Sequence, residues 1–283
     1  MRALAEYVMQ GRRQAATVAV LFGLIPVLNL LSGAVVALVT LRKGPQEGFL
    51  VMMWALLPAG VQWLTGDTAP VIMVIGVMLL ACLLRRTQSW QHVLVFTTLL
   101  GVVVQLALPL NAGYVATSEQ MLDAALQDNA AMLSAEGVTA EEVKAGLLPL
   151  WMSMYGTVFV MIFSACLMIG RSWQAQLYNP GGFQQEFHNL RLPPRVMLVF
   201  VVLFGLGLAG IQPLVGWTLI FTVAPILCGL AVAHYVVAVR KLGIATLVLI
   251  YLVALMTMPL IMLVGLADSL FNLRKRLRSK TPD

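Results

Sequence analysis

An all-α polytopic membrane protein, a bundle of about eight transmembrane helices with a short helical external insert, is the fold class this sequence predicts. Three observations predict it. The 283 residues are 60% hydrophobic and 11% charged, whereas soluble domains carry roughly 45–50% apolar and 25% charged residues. One soluble core cannot hide that much apolar surface. Runs such as LVLIYLVALMTMPLIMLVGL (247–266) contain no charged residue and reach the roughly 20 residues that cross a hydrocarbon layer about 30 Å thick. The basic residues stand singly or in pairs at the ends of such runs, where they orient spans, instead of forming the patch that nucleic acid requires.

Apolar runs occupy residues 15–41, 48–65, 69–84, 90–110, 147–170, 196–211, 214–239 and 243–267. Each is expected to be helical, because hydrocarbon offers an open backbone no hydrogen bonds. Arg2, Arg12 and Arg13 precede the first run as in a signal peptide, but the run continues to Leu41 without a small-residue cleavage site and reads as retained. It is either one tilted span or two short helices broken at PVLNLLSG, where Pro26, Asn29, Ser32 and Gly33 cluster. Two helices are favoured, because they put Arg42, Lys43, Arg85, Arg86, Arg171, Arg191, Arg195, Arg240 and Lys241 on the side of the N-terminus.

Residues 1–110 read as an N-terminal membrane half and 111–147 as an external insert holding Glu119, Asp123, Asp128, Glu136, Glu141 and Glu142 with Lys144 as its sole basic residue. Scarcity of Lys and Arg places it outside. Thr117 with Gln120, and Thr139 with Glu142, are candidate capping boxes, and Gly137 is a candidate stop between two short helices. Residues 148–273 read as a C-terminal membrane half, and 274–283 as a basic tail. One conflict arises: a single last span would carry RKRLRSK (274–280) to the side opposite Arg240 unless the run breaks near Pro259 or an earlier span is miscounted.

YNPGGFQQEFHNLRLPP (178–194) interrupts the second half. Asn179 to Gly182 predict a turn, and Phe183, Phe187 and Leu190 recur on one helical face, which predicts an amphipathic helix lying along the headgroups. It serves either as a surface connector or as a docking site for a partner or an anionic headgroup.

Catalytic and metal chemistry find little material. His92, His188 and His234 lack helical ligand spacing, Cys82, Cys166 and Cys228 sit inside apolar runs as small hydrophobes, and no phosphate loop or nucleophile elbow occurs. Two ionisable groups, His234 and Asp268, lie in or beside spans and are candidate ligand or relay residues, or else interfacial groups, Asp268 pairing with a tail cation. A turn near residue 241 is not expected to bring them together. Ala15, Ala19 and Gly23 repeat every four residues, and Gly205, Gly207 and Gly210 cluster, which predicts close helix packing or, at Ala15 and Ala19, partner docking.

The segments NPGGFQQEFHNLRLP (179–193), GLAVAHYVVAVRKLG (229–243) and GLADSLFNLRKRL (265–277) together resemble the YybS-like family of predicted bacterial membrane proteins. That resemblance implies a bacterial membrane protein and brings no activity with it. LRKGPQEG (41–48), following a broken first run, resembles in addition the substrate-capturing S components of energy-coupling-factor transporters and the cell-shape protein MreD. The S-component likeness implies a coupling partner docked at Ala15 and Ala19, although the chain has more spans than the usual six.

The expectation is therefore a non-enzymatic, multi-pass protein of a bacterial inner membrane, with a cytoplasmic N-terminus and no cofactor, contacting membrane lipids and a membrane-protein partner. In the transport reading, a small-molecule or lipid-like ligand sits in an outward cavity among Asn29, Gln62, Gln105 and Asn111, with His234 and Asp268 as further candidates. In the scaffold reading, partners dock at Phe183 and Phe187 or on the tail.

Overall fold

The computed structural model describes residues 1–107, 110–135 and 137–278; Glu136 and tail residues 279–283 lie outside the described residues. All regular structure among the described residues is helical: α1 Arg2–Gln10, α2 Arg12–Leu24, α3 Asn29–Lys43, α4 Pro45–Leu64, α5 Ala69–Thr87, α6 Trp90–Leu106, α7 Ala112–Asp128, α8 Ala130–Ala135, α9 Ala140–Tyr178, α10 Gly182–His188, α11 Pro194–Leu208, α12 Ile220–Val239, α13 Ile244–Met256, α14 Met258–Phe271 and α15 Leu273–Arg278. Among the described residues, five helical segments are long and apolar enough to cross a membrane, or six when the bent pair α13–α14 counts as one span. α6 and α11 are apolar but shorter. Two of the eight apolar runs expected to span form shorter helices, of 17 and 15 residues, which accounts for the difference between about eight and six.

Two compact units emerge, and they do not follow the linear division into halves. The first comprises 1–97, 161–197 and 224–283, the second 98–160 and 198–223.

The first unit is built around α3. Ala34, Val35, Val36, Ala37 and Leu38 are fully buried, so the helix that reads as an ordinary apolar run is the centre of its unit. α9 packs closely on it: a methyl group on Gly170 would lie 2.7 Å from the Ala37 Cβ and 2.8 Å from the Ala34 carbonyl oxygen. The first apolar run is two helices. Pro26 opens a 3-10 turn, Pro26–Leu28, that separates α2 from α3, and Ser32 donates to the Ala19 carbonyl at 2.8 Å, pinning the two together. Arg12 donates from Nε to Glu47 at 2.6 Å and pairs with its second oxygen as well, so the start of α2 and the start of α4 share one end of the unit. Arg85 donates to the Leu41 and Arg42 carbonyls at that same end, and the Arg42 guanidinium lies 3.8 Å over the Tyr178 ring.

The last run is broken as well. α13 and α14 meet at Thr257 with a bend of 112°, where Pro259 stands in the first turn of α14 and the Thr257 hydroxyl donates to the Val253 carbonyl. α14 then crosses α12 at two glycines. A methyl on Gly229 would lie 2.0 Å from the Ile261 carbonyl oxygen and one on Gly265 2.5 Å from that of Pro225, so only bare backbone fits. Tyr235, near the Arg240 end of α12, reaches the Arg274 carbonyl at 3.5 Å. The start of the basic tail therefore returns to the Arg240 end, which removes the charge conflict.

In the second unit α6 and α9 approach most closely at Gly101 and Gly156, and Gln105 accepts the Gly156 amide at 2.9 Å. Asn111 caps α7 by accepting the Tyr114 amide, and the Tyr114 and Tyr155 rings lie 4.4 Å apart. The Thr117 capping box does not form: α7 begins five residues earlier, and Thr117 bonds the Gly113 carbonyl from inside the helix. The Thr139 box forms fully, Glu142 accepting both the Thr139 amide and hydroxyl and returning its own amide to Thr139. It opens a 39-residue helix, so the second insert helix and the following span are continuous. Of the glycine cluster, Gly207 alone packs tightly, against Thr218; a methyl on Gly205 would meet open space, and Gly210 turns the chain at φ +82°.

Candidate functional site

The polar interruption at 178–194 organises the site. The turn closes with Gly182 donating to the Asn179 carbonyl at 2.9 Å, and Gly181 takes φ +82°, a left-handed conformation that glycine adopts without strain. α10 follows, and its apolar stripe faces the first unit. Phe183 sets its edge against Trp90 of α6 at 6.2 Å and lies 6.1 Å from Phe187, which meets the His234 ring of α12 edge to face at 5.2 Å. Glu186 fixes the helix: its carboxylate accepts from Trp90 Nε1 and Arg171 Nε at 3.0 Å each, and its second oxygen pairs with Arg171 as well. Burial pushes the pKa of Glu186 up, but the hydrogen bonds from Arg171 and Trp90 and the Arg171 charge outweigh it and hold the carboxyl below its ordinary range.

After α10 the backbone runs without helix to Pro193. Its carbonyls must be satisfied by side chains, and two residues of the C-terminal segment do so. Arg274 donates to the carbonyls of His188 and Leu190, the latter at 2.7 Å, and Ser269 donates to that of Leu192 at 2.8 Å. Arg191 answers from the strap with a bond to the Ser269 carbonyl at 2.7 Å. Asp268, 1% exposed, balances the Arg274 charge at 3.3 Å and accepts the Arg274 amide. Asp268 thus pairs with a tail cation and serves the fastening.

A cavity of about 610 Å³ lies behind the strap. Phe183, Phe187, Met168, Ile169 and Leu31 line it with apolar side chains, interleaved with His188, His234 and Tyr251. His234 Nε2 and the Tyr251 hydroxyl are 2.9 Å apart, so the two share a proton donor. Burial, then the neighbouring His234 and Arg274, depress the basicity of His188 and favour its neutral form. The cavity therefore presents aromatic faces and hydrogen-bonding groups, and Met1, Gln176 and Gln184 line it as well. Among the described residues no three His, Cys, Asp or Glu side chains come together as a metal ion would need.

The sequence-predicted residues divide. His234, Phe183 and Phe187 come together on this cavity. Asp268 sits at the strap fastening. Asn29 and Gln62 bond each other at 3.0 Å in the first unit, Gln62 donating onward to the Gly23 carbonyl at 2.7 Å. Gln105 and Asn111 belong to the second unit and are engaged as described. None of these four amides lines the cavity: each is used as an interhelical or capping bond, the ordinary fate of an amide among apolar helices. Ala15 and Ala19 are 1% and 0% exposed inside the chain's own α2–α3 packing, so that ladder is internal rather than a free docking face. Phe183 and Phe187 are half-buried, packed against Trp90 and His234.

Glu186, Arg171, Trp90, Tyr251 and Arg274 escaped sequence reasoning. The signal available was the isolation of Glu186 beside aromatic residues. Its partners lie 15 and 96 residues away, which no local pattern connects. Comparison with protein-family models, curated proteins and solved structures returns no match.

Proposed function

We propose that this chain is a non-enzymatic integral membrane protein that binds a small amphiphilic, lipid-like molecule in the cavity between α9, α10, α12 and α13. The observation that carries the reading is the lining: aromatic and aliphatic side chains interleaved with imidazoles and a phenol, around a volume that suits a drug-sized molecule. A ligand with an apolar body and a hydrogen-bonding end fits it. The S-component likeness of the sequence agrees with ligand capture. The packing of Phe183 and Phe187 against Trp90 and His234 speaks against these rings as a scaffold's docking surface. The concentration of arginines at one end of the first unit supports a cytoplasmic placement for that end, and with it for the N-terminus, in a bacterial inner membrane.

Native mass spectrometry of the full chain, released gently from detergent, tests the reading. A reproducible small-molecule adduct that disappears in Phe187→Trp, whose larger ring fills the space, and persists in Gln62→Leu is the expected result. Reproducible absence of any adduct, or one indifferent to Phe187→Trp, overturns it.

A further inference from the structure

A second groove lies on the lipid-facing side of the first unit, between α2 and α4. Arg13, Ala16, Thr17, Val20 and Leu21 line it from α2, and Trp54 lines it from α4. Its volume is about 480 Å³. The spacing of the α2 residues puts them on one face of that helix, so the groove runs lengthwise from a charged end at Arg13 to an apolar end at Leu21, about 12 Å at 1.5 Å per residue. The surroundings are already apolar and exposed: Leu50, Trp54, Leu57 and Val61 form an outward stripe on α4, and Leu21 and Leu24 continue it on α2. This surface meets acyl chains.

The charge at the upper end is unbalanced. Arg12, Arg13 and Lys43 gather there with Glu47 as the facing carboxylate, and Glu47 is held bidentately by Arg12. Among the described residues Arg13 has no carboxylate partner. The start of α2 has no side-chain cap, so its first-turn amides add to the positive field. A guanidinium with free donors at one end and, about two turns further along, an apolar channel lined by Trp54, Val20 and Leu21 match, in order, a phosphate and an acyl chain.

We propose that this groove holds one anionic phospholipid, its phosphate on Arg13 and its acyl chain running past Trp54 along Val20 and Leu21. The site is independent of the α9–α13 cavity, and either can fail without the other. A docked helix would bury the same apolar strip but would have no use for an unpaired cation at one end alone.

The experiment uses the full chain in nanodiscs of phosphatidylcholine doped with phosphatidylglycerol. Native mass spectrometry should find phosphatidylglycerol retained several-fold over its share of the bilayer. Arg13→Gln should abolish that preference and Arg13→Lys should keep most of it. Arg13 is exposed, so an unaltered thermal transition should accompany both. Independently, phosphatidylglycerol brominated on its acyl chains should quench the Trp54 emission, obtained as the difference between the wild type and Trp54→Phe, more than brominated phosphatidylcholine does. Equal retention of the two lipids, an unchanged preference in Arg13→Gln, or displacement of the lipid by millimolar inorganic phosphate would overturn the proposal. Equal quenching by both brominated lipids would overturn it too, even if Arg13→Gln fails to fold.

Discussion

Two ion pairs in the first unit, Arg12 with Glu47 and Arg274 with Asp268, use the same chemistry in opposite surroundings. The Arg12 and Glu47 side chains are 68% and 22% exposed; those of Arg274 and Asp268 are 9% and 1% exposed. The first pair has better geometry, bidentate where the second is a single 3.3 Å approach without a hydrogen bond between the paired atoms. The second matters more, because removing one member leaves the other charged and out of reach of water. Distance alone would rank them the wrong way round. What ranks them is the solvent each half would be left with.

That ranking can be broken by measurement, beginning with the largest effect. Asp268→Asn should lower the stability of the detergent-solubilised protein by about 3–5 kcal/mol, read from thermal or denaturant unfolding. The double variant Asp268→Asn, Arg274→Met should recover part of the loss by removing the stranded charge, although the His188 and Leu190 carbonyls then go unsatisfied. If the single and double variants are equally unstable, the stranded charge is not the cause. Glu186→Gln is intermediate. Its pair with Arg171 is partly buried, and it also accepts from Trp90, so about 1.5–3 kcal/mol is expected. Its indole should become more mobile, visible as a fall in Trp90 fluorescence anisotropy against Trp90→Phe.

A smaller effect should follow pH. His188 faces His234, Arg274 and the Tyr235 ring, and its basicity is depressed in the folded chain. The unfolded chain then binds more protons, so stability rises with pH. The contribution is full above the ordinary imidazole value near 6.5 and is lost as pH falls below it. His188→Asn should flatten that part of the curve. The smallest effect is expected at Arg12→Gln, whose unfolding transition should match the wild type within error because both partners remain hydrated. A loss as large as that of Asp268→Asn would erase the contrast.

The local features of the fold were the legible ones. The break at Pro26, the Thr139–Glu142 box and the pair Phe183–Phe187 each follow from residues within a turn or two of one another, whereas the helix stops at His188 and leaves Leu190, expected on the same helical face, on the segment beyond it. Thr117 misled because Asn111 stands earlier with a better-placed acceptor, and the first usable cap starts the helix. The four amides Asn29, Gln62, Gln105 and Asn111 read as a cavity lining because an amide in an apolar run has no visible partner in the sequence; in the structure Asn29, Gln62 and Gln105 bond amides and carbonyls of neighbouring helices, and Asn111 caps its own helix. The strap fastening was the least legible feature. Arg274 reaches backbone oxygens 84 and 86 residues away, and a main-chain acceptor leaves no trace in residue identity.

The Arg274 guanidinium grips the peptide groups of positions 188 and 190 and is indifferent to what those positions carry, whereas the His188 side chain projects into the cavity. In the proposed ligand-binding reading, selectivity and anchorage thus fall on different atoms of the same residue, and the cavity can be re-lined while the clasp stays shut.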